Sequence, residues 1–121
     1  MNTILQLKIT LRGTKPPIWR RVLLKNTITF DALHDIIQIA MGWTNSHLHE
    51  FNVNGVRIGQ PLDDFGGEFD EGLIDDSTVT LNSTLTPANQ KFDYLYDFGD
   101  SWEHAVVIEK WLPTDAPVAY G

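Results

Sequence analysis

The sequence predicts an α+β domain with a mostly antiparallel sheet, one main helix packed on one face, and an element order reminiscent of a β-grasp. Three observations carry that expectation. Apolar residues alternate along the first strand-like segment. One stretch between Thr29 and Gly42 has helical periodicity. Two hairpins are marked by the turns Asn54-Gly55 and Asp97-Phe98-Gly99-Asp100.

In chain order, Leu5, Leu7, Ile9 and Leu11 share one face of a half-buried strand that Gly13 ends. Pro16-Pro17 favours an extended connection. Ile18–Lys25 is then a second strand, with Ile18, Arg20, Val22 and Leu24 on one side and Trp19, Arg21 and Leu23 on the other. Thr29 is placed at a helix N-cap and Asp31 in the first turn, where the helix dipole favours an anion. Leu33, Ile36, Ile37, Ala40 and Met41 recur at helical spacing, and Gly42 supplies the stop.

Beyond the helix, His47, His49, Phe51 and Val53 alternate with Leu48, Glu50 and Asn52. Asn54-Gly55 tolerates positive φ at both turn positions, and residues 56–58 return as the partner strand. Residues 61–76 carry seven acids among glycines, which marks a solvated loop. Residues 78–87 fit either a short strand or a helical turn. Phe92, Tyr94 and Tyr96 alternate before the last turn, and Trp102, His104, Val106 and Ile108 alternate after it. These elements make one domain over residues 1–112, with a frayed tail over 113–121.

Composition bounds the function. A chain of 121 residues buries roughly two-thirds of its unfolded surface on folding, enough for a core without staples. With no cysteine, structural disulfides, thiolate zinc sites and cysteine nucleophiles are excluded, and a cytoplasmic location is expected. The N-terminal residues lack the basic start and apolar run of a signal peptide. No stretch approaches the roughly 20 apolar residues of a membrane span, so no membrane partner is expected. The net charge of -7 is unevenly spread: residues 1–60 hold seven Lys/Arg against three Asp/Glu, and residues 61–121 two against thirteen. The basic half raises nucleic-acid association through Lys15, Arg20, Arg21 and Lys25, but the acidic overall field opposes it.

Four blocks carry a family resemblance: Pro17-Ile18-Trp19-Arg20-Arg21; Ala40-Met41-Gly42-Trp43; His47-Leu48-His49-Glu50-Phe51; and Tyr94 through His104, with its Asp97-Phe98-Gly99-Asp100 core. In this order, over about 95 residues, the chain resembles the Ri-plasmid ORF-three-like domain family, some of whose members are known as insertion-element passenger proteins of a TnpR type. The resemblance implies an α+β domain of mobile-element, bacterial and archaeal proteins with no established activity. Family members continue past Leu112-Pro113 into an acidic segment and more helix, and a site needing that segment is expected to be incomplete here.

Several groups could carry chemistry. His47 and His49 on one strand face can offer two imidazoles to zinc, with His34, His104 or Asp100 as a third ligand, although strand histidines are more often core or interface residues. Asp97 and Asp100 could orient His104 as a general base. The stronger reading makes both aspartates acceptors within the turn, with Gly99 at positive φ and Phe98 pinning the loop. Serine recombination lacks support, because Ser46, Ser77, Ser83 and Ser101 sit in no nucleophile setting and the arginines are only Arg12, Arg20, Arg21 and Arg57. The acidic loop lacks the ligand spacing of a calcium-binding EF-hand. Of the four tryptophans, Trp19 beside Arg20 and Arg21 lies opposite the apolar face of its strand and is the candidate surface residue.

The resulting expectation is a non-enzymatic interaction module. It binds a protein partner, or a second copy of itself, through an aromatic and histidine surface of Trp19, Arg21, His47, His49, Tyr96, Asp100, Trp102 and His104, with no cofactor. The alternatives are a metal-assisted hydrolase or nuclease using His47, His49, His104 and Asp100, and a nucleic-acid-associated accessory protein of a mobile element.

Overall fold

Period-two burial sets the sheet. In a computed structural model that describes residues 3–44, 48–60, 72–86, 90–97 and 102–113, strand β1 (Thr3–Leu11) buries Leu5, Leu7, Ile9 and Leu11 and turns Gln6, Lys8 and Thr10 to the other side. Strand β2 (Ile18–Lys25) runs antiparallel to it, pairing Lys8 with Arg21 and Thr10 with Trp19, so the two predicted faces of this strand are found.

Helix α1 (Phe30–Met41) follows, with Phe30, Leu33, His34, Ile37, Gln38 and Met41 buried at spacings of three and four. Thr29 occupies the N-cap with extended backbone, yet its hydroxyl bonds the Asp31 carboxylate instead of a helix N–H. At the other end Gly42 sits at φ 77, and the N–H groups of Gly42 and Trp43 close on the carbonyls of Ile39 and Gln38 at 3.3 and 2.8 Å. That is the glycine stop read from the sequence.

The rest of the sheet is β3 (His49–Val53), β4 (Val56–Gly59), β5 (Leu73–Asp75), β6 (Lys91–Tyr96) and β7 (Trp102–Pro113), with a short helix α2 (Leu81–Thr84) between β5 and β6. Asn54 and Gly55 join β3 to β4 with φ of 52 and 86, as the turn signal requires. The seven strands lie in the order β2-β1-β7-β6-β3-β4-β5, antiparallel throughout except for the parallel pair β4–β5. The architecture is thus α+β, a mostly antiparallel sheet with one main helix. The helix lies on the face that buries Phe51, Phe92, Tyr94 and Val106, with the Phe30 ring 5.2 Å from Phe51 and 6.2 Å from Phe92.

The opposite face carries ion pairs. Across β1 and β7 the register shifts so that Gln6 faces Lys110 and Leu7 faces Ile108, leaving Glu109 as the extra residue. Its carboxylate accepts from the Arg21 guanidinium at 2.6 and 3.0 Å and from Gln6 at 3.1 Å. Arg21 first, then Gln6, hold the Glu109 carboxyl down at about 2. Arg12–Asp93 and Arg57–Glu50 add pairs at 2.7 and 2.8 Å.

Two expectations change. The acidic loop is not solvated throughout: its end forms β5, and Asp76 is buried, while residues 61–71 lie outside the described ones. Residues 78–86 resolve as the helical turn α2 after an isolated Thr29–Thr80 bridge, with no strand, because backbone bonds from Phe30 to Val79 and from Leu81 to Ile28 lash the segment to the start of α1. At the start of the last turn Asp97 has a positive φ of 63, and its N–H bonds the Leu48 carbonyl at 2.9 Å. Residues 98–101, with Phe98, Gly99 and Asp100, and the tail from residue 114 lie outside the described residues.

Candidate functional site

Helical arithmetic puts His34 and Gln38 one turn apart on the buried stripe of α1, facing β6. There the Tyr94 hydroxyl accepts from Gln38 Nε2 at 2.8 Å and lies 2.6 Å from His34 Nδ1. With Gln38 donating to the phenol oxygen, the phenol hydrogen is placed to reach Nδ1 of a His34 ring whose own hydrogen is on Nε2. Burial pushes the Tyr94 phenol well above the ordinary tyrosine range, so it keeps that hydrogen.

His34 lies flat against a second imidazole. The His49 ring, at the start of β3, stacks on it with centroids 3.5 Å apart and planes 9° from parallel. His49 Nε2 meets Asp76 Oδ2 at 2.5 Å, with both side chains only 6% exposed. Asp76 is fixed by its backbone. Its N–H bonds the Gly59 carbonyl at 3.0 Å and its carbonyl accepts from the Asp31 N–H at 3.1 Å, which pins the residue between the end of β4 and the first turn of α1.

This pair opens on a cleft of about 310 Å³, lined also by Asp31, Asp35, Asp75 and Ser77. Ser77 donates its hydroxyl and its N–H to Asp75 Oδ1 at 2.7 and 2.9 Å, which lowers the Asp75 carboxyl and keeps it charged. The wall is therefore anionic.

Among the described residues the expected single surface does not form. Trp19 and Arg21 lie on the open face of the sheet, whereas His49, Tyr96 and His104 are buried on the helix side, because strand alternation separates them. Trp102 is exposed at the end of β7 and packs edge-on against Trp43 at 4.6 Å. His47 and Asp100 fall outside the described residues.

Nor do His49 and His104 meet. They stand on strands separated by β6, about 10 Å apart at normal strand spacing. Both His104 nitrogens are engaged, Nε2 by the Trp43 indole N–H and Nδ1 with the Tyr94 carbonyl, each at 3.3 Å. Burial pushes the His104 pKa down. The His34–His49 stack is also unsuited to a metal, since parallel rings aim their in-plane lone pairs past each other. Among the described residues no three His, Asp or Glu are grouped to hold a metal ion. Of the four cations considered for nucleic acid, Arg21 is paired to Glu109 and Arg20 bonds the Trp19 carbonyl.

Asp76, Tyr94 and Gln38 were not among the residues the sequence singled out. Gln38 had a readable signal, four residues after His34 on the apolar stripe. Asp76 had none, being one acid among seven.

Comparison with known proteins fits this picture of a shared fold and an unassigned site. The family model for plasmid pRiA4b ORF-3-like protein matches residues 3–121. The chain belongs to this family. It is 42% identical over 120 residues to the uncharacterized protein y4hQ of Sinorhizobium fredii (strain NBRC 101917 / NGR234), across 96% of this chain and 60% of that one. The chain thus spans less than two-thirds of that relative. A crystal structure of a protein of unknown function, MM3350 from Methanosarcina mazei Go1, superposes with a TM-score of 0.84 at 34% identity, over 99% of this chain and 67% of the other. The family resemblance read from the four sequence blocks is thereby established, and its relatives bring no assigned activity.

Proposed function

We propose that the cleft beside α1 is a small-molecule site in which His49, held by Asp76, serves as the acid–base group. The observation that carries this is the buried 2.5 Å contact between His49 Nε2 and Asp76 Oδ2 at the wall of an open cleft. A carboxylate that takes the Nε2 hydrogen fixes the tautomer and leaves the lone pair of the neutral ring on Nδ1. The stacked His34, itself held by Tyr94, fixes the ring plane. Asp31, Asp35 and Asp75 would repel a phosphodiester, so a neutral or cationic substrate fits and a nuclease does not.

A screen of small neutral, cationic and anionic compounds, followed by NMR, tests the reading. Neutral or cationic hits should shift the His49 ring and the Ser77 amide. Turnover of any reactive hit should fall at least 100-fold in His49→Gln and persist in His104→Gln. Hits that map elsewhere, or turnover unchanged in His49→Gln, would refute it.

A protein-binding role is a second reading, supported by the exposure of Trp19, which is 41% accessible between Lys8 and Arg21 on the open face. Loss of a host partner from Trp19→Ala in a pull-down tests it, and full retention would count against it.

A further inference from the structure

Strand β2 ends the sheet, and among the described residues it is paired on one side only, by β1. Its outer rim is therefore a row of backbone donors and acceptors about 27 Å long. The Ile18 N–H is turned inward to Thr14 Oγ1 at 3.2 Å, while the Trp19 carbonyl takes a bond from the Arg20 guanidinium at 2.8 Å. Antiparallel alternation then points the backbone groups of Trp19, Arg21 and Leu23 outward.

The side chains beside this rim are apolar and cationic. Ile18 and Trp19 are each 41% exposed, on opposite faces of the strand. Lys8 Nζ and the Arg21 guanidinium lie 4.7 and 5.1 Å from the Trp19 ring. Arg20 and Lys25 are exposed, and Glu109 pairs with Arg21 and also accepts from Gln6.

We propose that the outer edge of β2 receives an extended, acidic segment of a partner protein as an added strand. Main-chain bonds would supply register, Ile18 and Trp19 would grip alternate side chains from the two faces, and Arg20 with Lys25 would select acids. A second copy is opposed by charge, because it would bring the exposed cations Arg20, Arg21 and Lys25 of one edge beside those of the other. Nucleic acid is less suited, having no strand backbone to match an edge. The inference rests on the protein-binding reading, and loss of the host partner in Trp19→Ala together with no peptide binding at the edge would keep that reading and overturn this one.

The probe is a fluorescein-labelled octapeptide alternating valine with glutamate, followed by fluorescence anisotropy and amide NMR. Binding should move the amides of Trp19, Arg21 and Leu23, weaken at least tenfold in Arg20→Glu and in Trp19→Ala, and vanish when alternate valines become prolines. Both substitutions are at exposed positions, and each variant's amide spectrum checks its fold. Equal binding of the proline peptide, amide shifts confined to other surfaces, no binding at all, tighter binding of an oligothymidylate, or self-association of the free chain through β2 would each overturn the proposal.

Discussion

The imidazoles of His34 and His49 stack 3.5 Å apart and 9° from parallel, one supplied by α1 and the other by β3. This contact ties the helix to the sheet through polar rings. Among the described residues no buried side-chain nitrogen or oxygen lacks a partner, so the network is satisfied as well as buried. His34→Ala removes one ring of the stack and one partner of Tyr94, and should cost about 2–4 kcal/mol in urea unfolding. Tyr94→Phe takes away the bonds to Gln38 and His34 while filling the same space, and should cost about 1–3 kcal/mol.

Asp76 and His49 should behave as a unit. Removing either partner strands the other in the interior, so Asp76→Ala and His49→Ala should each cost about 3–5 kcal/mol. The double variant should cost well under the sum of the two, and denaturant midpoints of all four proteins in a double-mutant cycle give the coupling. Additive losses would show that the two residues do not interact.

Acid should act through His104. Its folded pKa is depressed by burial below the ordinary value of 6.5, so the unfolded chain binds the proton more tightly. The His104 contribution is therefore complete above pH 6.5 and is lost as pH falls through the lowered folded value. His104→Gln should flatten the pH dependence of the unfolding midpoint in that window, and an unchanged slope would count against the assignment.

Base should act through Tyr94. Its phenol is raised above the ordinary 10.0 by burial, so its contribution holds below that pH and is lost as pH rises beyond it. Ultraviolet titration of Tyr94→Phe should lack the tyrosinate that the parent protein forms only as it unfolds in alkali.

Gly59 is needed for space. A Cβ there would meet the His49 carbonyl oxygen at 2.9 Å and the Glu50 Cα at 3.4 Å, both backbone atoms of the paired strand. Gly59→Ala should push β3 from β4 and cost about 1–3 kcal/mol. Because Asp76 hangs from the Gly59 carbonyl, the same change should shift the His49 ring resonances.

The strands and helix were legible because they depend on local periodicity. Leu5 to Leu11 alternate whatever lies opposite, and Gly42 ends α1 because of its own φ. The two faces of β2 were legible for the same reason, but the separation of Trp19 and Arg21 from His49 and His104 depends on the pairing of distant strands. Trp19 is parted from those histidines because paired strands keep their faces across the whole sheet.

By itself, then, the sequence determined the α+β class, the Asn54-Gly55 hairpin, the glycine stop of the helix and the family, since each is written in neighbouring residues. Only the tertiary structure decided the site. His34, His49 and Tyr94 come from three separate elements and Asp76 from the turn after β5, and what joins them is strand order and the backbone bonds of Asp76 to Gly59 and Asp31. Such contacts close over long stretches of chain, where no local spacing records which residues will meet.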